Sequence, residues 1–371
     1  MIPDTDELIA GLRPWIEAES PTARGDKVSA MMDLAQAEFE AAGASVERIP
    51  GRDGAGDNLS VAMPWGGDEP GILVLCHLDT VHPVGTLDKL PYRRDGDNLY
   101  GPGTSDMKGG VYIAARAARS LAEERHNGPL PVRFLLTADE ETGSATTRAL
   151  IEEAAERAKY VLVTEPARSG GKIVTGRKGV GRYDMRTVGR AAHSGSNHAY
   201  GRSAIKEMAR QVLAVEALND PDLGRTLNVG RIEGGSVVNT VPEFCTAEVD
   251  LRVMEEDDFA TVHEALMGLA PHDPDVTLTV TGGANRPAYR KTPEIAALFD
   301  RAKGLAAEIG FELEDLHTGG GSDGSFIATR VPTLDGLGVD GADAHTLNEH
   351  LYVSSMVPRM RLLRRLMETL D

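Results

Sequence analysis

Residues 72–79 read ILVLCHLD, and this stretch decides the fold. The apolar run from Ile72 to Cys76 is too short for a helix and lacks the alternation of a half-exposed strand. It suits a central strand covered on both faces. Polar chemistry begins where the run stops, at His77 and Asp79. The arrangement recurs twice: residues 132–137 (VRFLLT) lead into Asp139, Glu140 and Glu141, and residues 160–163 (YVLV) lead into Thr164 and Glu165. In open α/β sheets, ligands bind in the crevice outside the carboxyl ends of the strands.

Outward from these strands, helical periodicity covers residues 6–19, 27–42 and 109–124, an α/β pattern. Residues 175–284 change character. They read strand 181–188, helix 202–218, strand 226–232, strand 243–253, helix 258–269 and strand 276–281. That is the β-α-β-β-α-β order of a ferredoxin-like unit, with glycine-rich breaks at 176–181 and 282–283. The chain then resumes with helix 293–309, strand 333–337 and helix 353–370. The expected architecture is a mixed, mostly parallel sheet covered by helices, interrupted by a smaller inserted domain. The expected bounds are 1–176 and 287–371 for the first domain and 177–286 for the insert.

Lys and Arg number 39 against 57 Asp and Glu, a formal net charge of −18. Nucleic acid or an anionic membrane would require a basic face, so neither is expected as a partner. No apolar stretch approaches a membrane span. The opening MIPDTDELIAGLRPWIEAE has neither a basic start nor an apolar signal core, so a cytoplasmic setting is expected. Two cysteines, Cys76 and Cys245, make no disulfide framework.

Five residues at the ends of apolar runs or in glycine-rich loops read together as a two-metal site. They are His77, Asp106 in GPGTSDMKGG, Glu141, Glu165 before Pro166, and His345 in GADAHTLNEH. Two imidazoles and three carboxylates suit a pair of divalent ions with positions left for water and substrate. Clustered carboxylates repel one another unless cations neutralise them. Two divalent ions and a bridging hydroxide would balance these three acids. Glu140 beside Glu141 offers a second carboxylate to act as base, and Asp79 can accept a ring N–H of His77.

The motifs HLDTV, GPGTSDMKGG, DEETGS, TEP and DAH resemble those of the co-catalytic di-zinc peptidase family of glutamate carboxypeptidase, acetylornithine deacetylase, succinyl-diaminopimelate desuccinylase and aminoacylase. The resemblance covers essentially the whole chain and implies a zinc exopeptidase-like fold. It implies that Asp106 bridges two Zn²⁺ per subunit, with Co²⁺ or Mn²⁺ as substitutes. His77 and Glu165 would hold one ion, Glu141 and His345 the other. Glu140 would be general base and then acid toward an amide attacked by the bridging hydroxide. GGGSDGSFIA, GGSVVNTVP, DLRV and NRPAY look closest to glutamate carboxypeptidase. That likeness implies substrate contacts from Arg286, Arg252, Asn239 and the backbone at Gly320, with Lys172 a further candidate. His193 would be a lid histidine reaching the oxyanion from a partner subunit, the insert serving as lid and homodimer interface.

The implied substrate is a small N-acyl amino acid or short peptide whose scissile amide joins an amino acid with a free carboxylate. Deacetylase or desuccinylase activity would use the same site. A remote alternative is a serine hydrolase, because residues 320–324 (GGSDG) match the G-x-S-x-G elbow with Ser322 as nucleophile. That motif needs a strand directly before the serine, and DLHTGGG is loop chemistry instead.

Overall fold

The computed structural model describes residues 3–126 and 128–371. Its contacts divide the chain into two compact units. Unit one comprises Met1–Gly176, Arg290–His317 and Ser322–Asp371; unit two comprises Arg177–Tyr289 and Thr318–Gly321.

Unit one holds β1 (Ser45–Ile49), β2 (Asn58–Ala62), β3 (Gly71–His77), β4 (Val132–Thr137) and β5 (Ala158–Val163). Their spatial order is β1-β2-β4-β3-β5, with a short strand, Thr333–Leu334, beyond β5. The pairings β4–β3, β3–β5 and β5 with Thr333–Leu334 are parallel; β1–β2 and β2–β4 are antiparallel. Every residue of β3 is buried, as a strand covered on both faces requires. Leu73 and Leu75 pack on one face with Ile151, Ala155, Phe326 and Ile327. On the other, Val74 stands opposite Phe134, whose ring lies 4.7 Å from that of Phe39.

The helices of this unit are α1 (Thr5–Glu17), α2 (Gly25–Ala41), α3 (Gly109–Glu123) and α4 (Arg148–Ala155), then Pro293–Ile309 and Val353–Thr369. An Asp4–Glu7 capping box starts α1. The alanine-rich α3 packs along Val353–Thr369. Its Gly110 lets the helix start press on the end of β5, since a Cβ there would lie 2.1 Å from the Thr164 carbonyl oxygen. Elements unforeseen from sequence are β1, β2, α4, the short pair Ala192–His193 and Thr240–Val241, the pair Ile173–Arg177 and Asp315–Thr318 (the latter within DLHTGGG, expected as loop), and a small sheet of Arg93–Asp95, Asn98–Tyr100, His350–Tyr352 and Gly341–Ala342. The expected strand 333–337 shortens to Thr333–Leu334.

Unit two holds β6 (Gly179–Val188), α5 (Ala204–Glu216), β7 (Thr226–Gly234), β8 (Phe244–Val253), α6 (Glu256–Met267) and β9 (Thr277–Arg286). The sheet order is β7-β8-β6-β9, antiparallel throughout. Burial alternates along β6 and β8, so one face is apolar. That face packs Tyr183, Met185, Val249 and Leu251 against Met208, Val215, Phe259 and Leu266. Contacts carry this unit past residue 286 to Tyr289, whose backbone pairs with Arg177.

The glycines expected to break the chain at 282–283 lie inside β9, opposite Tyr183 and Arg182. Gly282 has φ +128°, and a Cβ on it would lie 2.2 Å from the Arg182 carbonyl oxygen. The glycine there serves close backbone approach within a strand, a use that reads as a break in sequence. At Gly283 the nearest neighbour of such a Cβ is the His263 ring at 3.9 Å. Gly282→Ala is therefore expected to lower stability by about 1–3 kcal/mol, whereas Gly283→Ala changes it by less than about 1 kcal/mol. Thermal denaturation of the pair, side by side, checks the contrast.

Candidate metal centre

Three of the predicted segments leave the same end of the sheet of unit one because β4, β3 and β5 are adjacent and parallel. His77 is the last residue of β3, Glu140 and Glu141 form a short turn after β4, and Glu165 lies just past β5. Asp106 comes from the turn that enters α3. His345 lies in the loop between Gly341–Ala342 and His350–Tyr352. The small sheet draws these last two loops together: His350 pairs with Tyr100, and Ala342 with His350.

Asp106 sits at the middle. Its Oδ1 lies 3.3 Å from His77 Nε2, and its Oδ2 lies 3.2 Å from His345 Nε2. His77 Nε2 is also 3.6 Å from Glu165 Oε1, and His345 Nε2 is 3.2 Å from Glu141 Oε2. Ligand atoms of His77, Glu140 and Glu165, and of His77, Asp106 and Glu141, fall within 4.8 Å of one another. Asp106 Oδ1 and Glu141 Oε1 are buried without a hydrogen-bond partner. Orphaned buried carboxylate oxygens are costly unless a cation meets them. The donor set, carboxylate oxygen and imidazole nitrogen, fits divalent ions such as zinc.

By themselves these side chains share protons. Burial opposes charge on His77, yet Asp106, Asp79 and Glu140 outweigh it and hold the ring well above its ordinary value. Hydrogen bonds to Asp106 and Glu141 raise His345 to about 11. Burial and the neighbouring Asp106 charge push Glu141 up to about 7. Burial would also raise Asp106, but the neighbouring imidazoles of His345 and His77 prevail and hold it well below the carboxylate range.

Asp79 differs in detail from its expected part. The ring Nδ1 of His77 lies 3.0 Å from the Asp79 backbone carbonyl and 3.4 Å from its carboxylate. The carboxylate accepts the backbone N–H groups of Glu140 and Glu141, each at 3.2 Å, and the Thr22 hydroxyl at 2.6 Å. Asp79 therefore links the ends of β3 and β4. His345 adopts φ +66° and Asp343 φ +58°. Left-handed backbone at non-glycine residues costs energy and persists where the surroundings impose it. An open cavity of about 480 Å³ adjoins His345, lined by Val81, Val84, Lys89 and Leu347 among others.

Of the remaining candidates, Lys172 belongs to unit one and the others to unit two. Lys172 pairs with Glu314 at 2.6 Å, so its ammonium already has a carboxylate partner. In unit two, His193 pairs with Thr240, and Ser194 donates to the Asn239 carbonyl, so His193 and Asn239 share one local structure. His193 Nδ1 accepts the N–H groups of Gly195 and Ser196, which leaves the ring proton on Nε2. Arg252 bonds both oxygens of Asp250, at 2.7 and 2.8 Å, and reaches the Gly319 carbonyl. Gly320 and Gly321 turn their carbonyls to the buried Arg177, which the sequence reading passed over. Arg286 is buried at the end of β9 and bonds the Asn285 side chain.

The serine alternative fails. Ser322 is fully buried, has extended backbone at φ −157°, and donates to Asp335 at 2.5 Å. It lacks both the exposure and the strained elbow that such a nucleophile needs. Two further residues that sequence reading missed, His82 and Glu349, lie against the Asp106 loop. The H-x-x-x-E spacing from His345 to Glu349 was the available sign.

Among the described residues, no helix is long and apolar enough to cross a membrane. The model of Peptidase family M20/M25/M40 matches residues 73–369. The chain is 30% identical over 374 residues to carboxypeptidase G2 of Pseudomonas sp. (strain RS-16), covering 98% of this chain and 89% of that protein. It is 27% identical to a succinyl-diaminopimelate desuccinylase of Delftia acidovorans, over 89% of this chain and 90% of that one. Among solved structures, a tripeptidase of Staphylococcus aureus superposes with a TM-score of 0.80 at 21% identity, over 99% of both chains. A metallo-carboxypeptidase of Sulfolobus solfataricus does so with a TM-score of 0.80 at 16% identity, over 98% of this chain and 99% of that one. The match across most of its length makes this chain a member of the M20 peptidase family, a metallopeptidase or amidohydrolase.

Proposed function

We propose that this enzyme hydrolyses the amide bond of a small N-acyl amino acid or short peptide whose leaving amino acid keeps a free carboxylate, as a carboxypeptidase does. The observation that carries the reading is Asp106, with one oxygen 3.3 Å from His77, which also meets Glu165, and the other 3.2 Å from His345, which also meets Glu141. That arrangement supports Asp106 as the bridging ligand, His77 and Glu165 as ligands of one Zn²⁺, and Glu141 and His345 as ligands of the other. Such a pair supplies Lewis acidity toward the amide carbonyl and lowers the pKa of water toward neutrality.

Glu140, on the turn held by Asp79, takes a proton from water at its carboxylate and returns it to the leaving amine nitrogen. His193, reaching over from the lid of a second copy, donates from Nε2 to the developing oxyanion, and Asn239 contacts the same substrate. Arg286 receives the free carboxylate. Arg252, paired with Asp250, and Lys172, in an exposed pair with Glu314, are weaker candidates for the same contact. Unit two, ferredoxin-like in strand order, acts as lid, and its exposed Ile232, Val237 and Val238 support docking of a second copy. A cytoplasmic setting belongs to the same proposal. The family resemblance to carboxypeptidase G2 favours the carboxypeptidase reading over the desuccinylase and deacetylase ones.

The deciding experiment is a panel of N-acyl amino acids, varying the acyl and amino halves separately, with and without chelator. Turnover restricted to substrates with a free α-carboxylate, lost on chelation and restored by Zn²⁺, is expected; turnover that survives metal removal would refute the reading. Within the panel, Arg286→Ala should raise KM for carboxylate-bearing substrates with little change in kcat. Glu140→Ala should keep its metal, measured by elemental analysis, while kcat falls about 10²–10⁴-fold. Metal must displace protons from His77 and His345 and, below about pH 7, from Glu141. Zinc binding near neutrality should therefore release roughly two to three protons, with affinity rising with pH. Calorimetry in buffers of different ionisation enthalpy measures that number.

A further inference from the structure

Three of the proposed ligands belong to chain segments that converge on one carboxylate, Glu349. Glu349 Oε1 accepts the backbone N–H groups of Ser105 at 2.8 Å and of Asp106 itself at 3.0 Å. Glu349 Oε2 accepts the N–H of Gly103 at 3.0 Å and faces His82 Nε2 at 2.6 Å. Each oxygen thus takes two donors, and the side chain is buried with 1% exposure. The backbone adds a further tie, Gly101 N–H to the Glu349 carbonyl. Buried Lys108, bonded to the Ala18 carbonyl at 2.8 Å, contributes a nearby positive charge.

The connectivity gives this cluster its meaning. Glu349 lies four residues after His345, His82 five residues after His77, and the N–H donors are those of the Asp106 loop. The sheet fixes only the β3 end; the other two segments are loops, free of the main ladder. A carboxylate that accepts several N–H groups makes charge-assisted bonds, roughly twice as strong as neutral ones. From this geometry we infer that Glu349, seconded by His82, is a positioning residue that holds His77, Asp106 and His345 at the spacing two divalent metals require. It touches neither substrate nor reacting atoms. This inference rests on the proposed metal centre and adds to it the device that sets the mutual placement of its ligands.

Glu349→Gln tests it. The amide keeps one acceptor oxygen but turns an NH₂ group toward two donors, so one side of the clamp meets donor against donor. Affinity for Zn²⁺, measured by competition with a chromophoric chelator, should fall about 10–100-fold at one or both positions. The ligand-field spectrum of the Co²⁺-loaded protein should change with it. A merely structural carboxylate would lower the melting temperature of the metal-free protein and leave affinity and spectrum as in the wild type; that result overturns the inference. His82→Asn, which removes one of four donors, should weaken affinity in the same direction by a smaller factor, and it decides the matter if Glu349→Gln does not fold. Wild-type protein that bound no Zn²⁺ would remove the metal centre itself. Wild-type protein binding two equivalents alongside an unchanged Glu349→Gln would remove only the role of Glu349.

Discussion

Charge neutralisation at the carboxyl ends of three adjacent parallel strands is the constraint around which this fold is arranged. Asp106, Glu141 and Glu165 bring their carboxylates to within hydrogen-bond or ion-pair range of two imidazoles, largely away from water. Acids so placed are expensive to keep ionised without positive charge beside them. The opposite shifts of Glu141 and Asp106 express that competition: burial dominates the first, and the two histidines dominate the second. A sheet alone could not satisfy it, because its strand ends deliver only His77, Glu140, Glu141 and Glu165. Loops must supply Asp106 and His345.

The loops are disciplined by devices outside the main sheet. A small antiparallel sheet brings Asn98–Tyr100 beside His350–Tyr352, so the chain entering the Asp106 turn and the chain leaving His345 run together. Asp79 ties β3 to the turn after β4, and Glu349 ties the Asp106 loop to the segment of His345. Unmetallated or metallated, such a site needs buried carboxylates that do not coordinate, since backbone N–H groups in tight loops lack the partners a strand or helix provides. Two kinds of acid therefore coexist within a few residues. Asp106 and Glu141 each keep one buried oxygen without a hydrogen-bond partner, whereas Asp79 and Glu349 accept backbone N–H groups on both oxygens.

Much of this was legible in the chain. The apolar runs ending in Cys76, Thr137 and Val163 announced central strands, and a parallel arrangement necessarily aligned their polar sequels. The metal-ligand candidates followed, because imidazoles and carboxylates at those positions have few other joint uses. The order of elements in unit two was readable from periodicity as well. What escaped were short elements whose stability is tertiary. β1 and β2 carry mixed polar patterns, and the strands of the small sheet are two or three residues long, too short for any period to register. Gly282 looked like a break because sequence shows a missing side chain, not the carbonyl that would collide with one.

The sequence by itself determined which residue types stand at strand ends, and hence the chemistry available: imidazoles, bridging-capable acid, a spare carboxylate for proton transfer. Only the tertiary structure decided which acids meet the imidazoles and which are spent on backbone N–H groups, because those partners stand from 61 to 246 residues apart. Asp79 and Glu349 look no different in the chain from Glu141 and Glu165. Their partners, Glu140 and Glu141 for the one, Gly103, Ser105, Asp106 and His82 for the other, become neighbours only when the chain folds. Hydrogen bonds act over about 3 Å, so a role defined by them belongs to the fold, whereas a role defined by residue chemistry could be read beforehand.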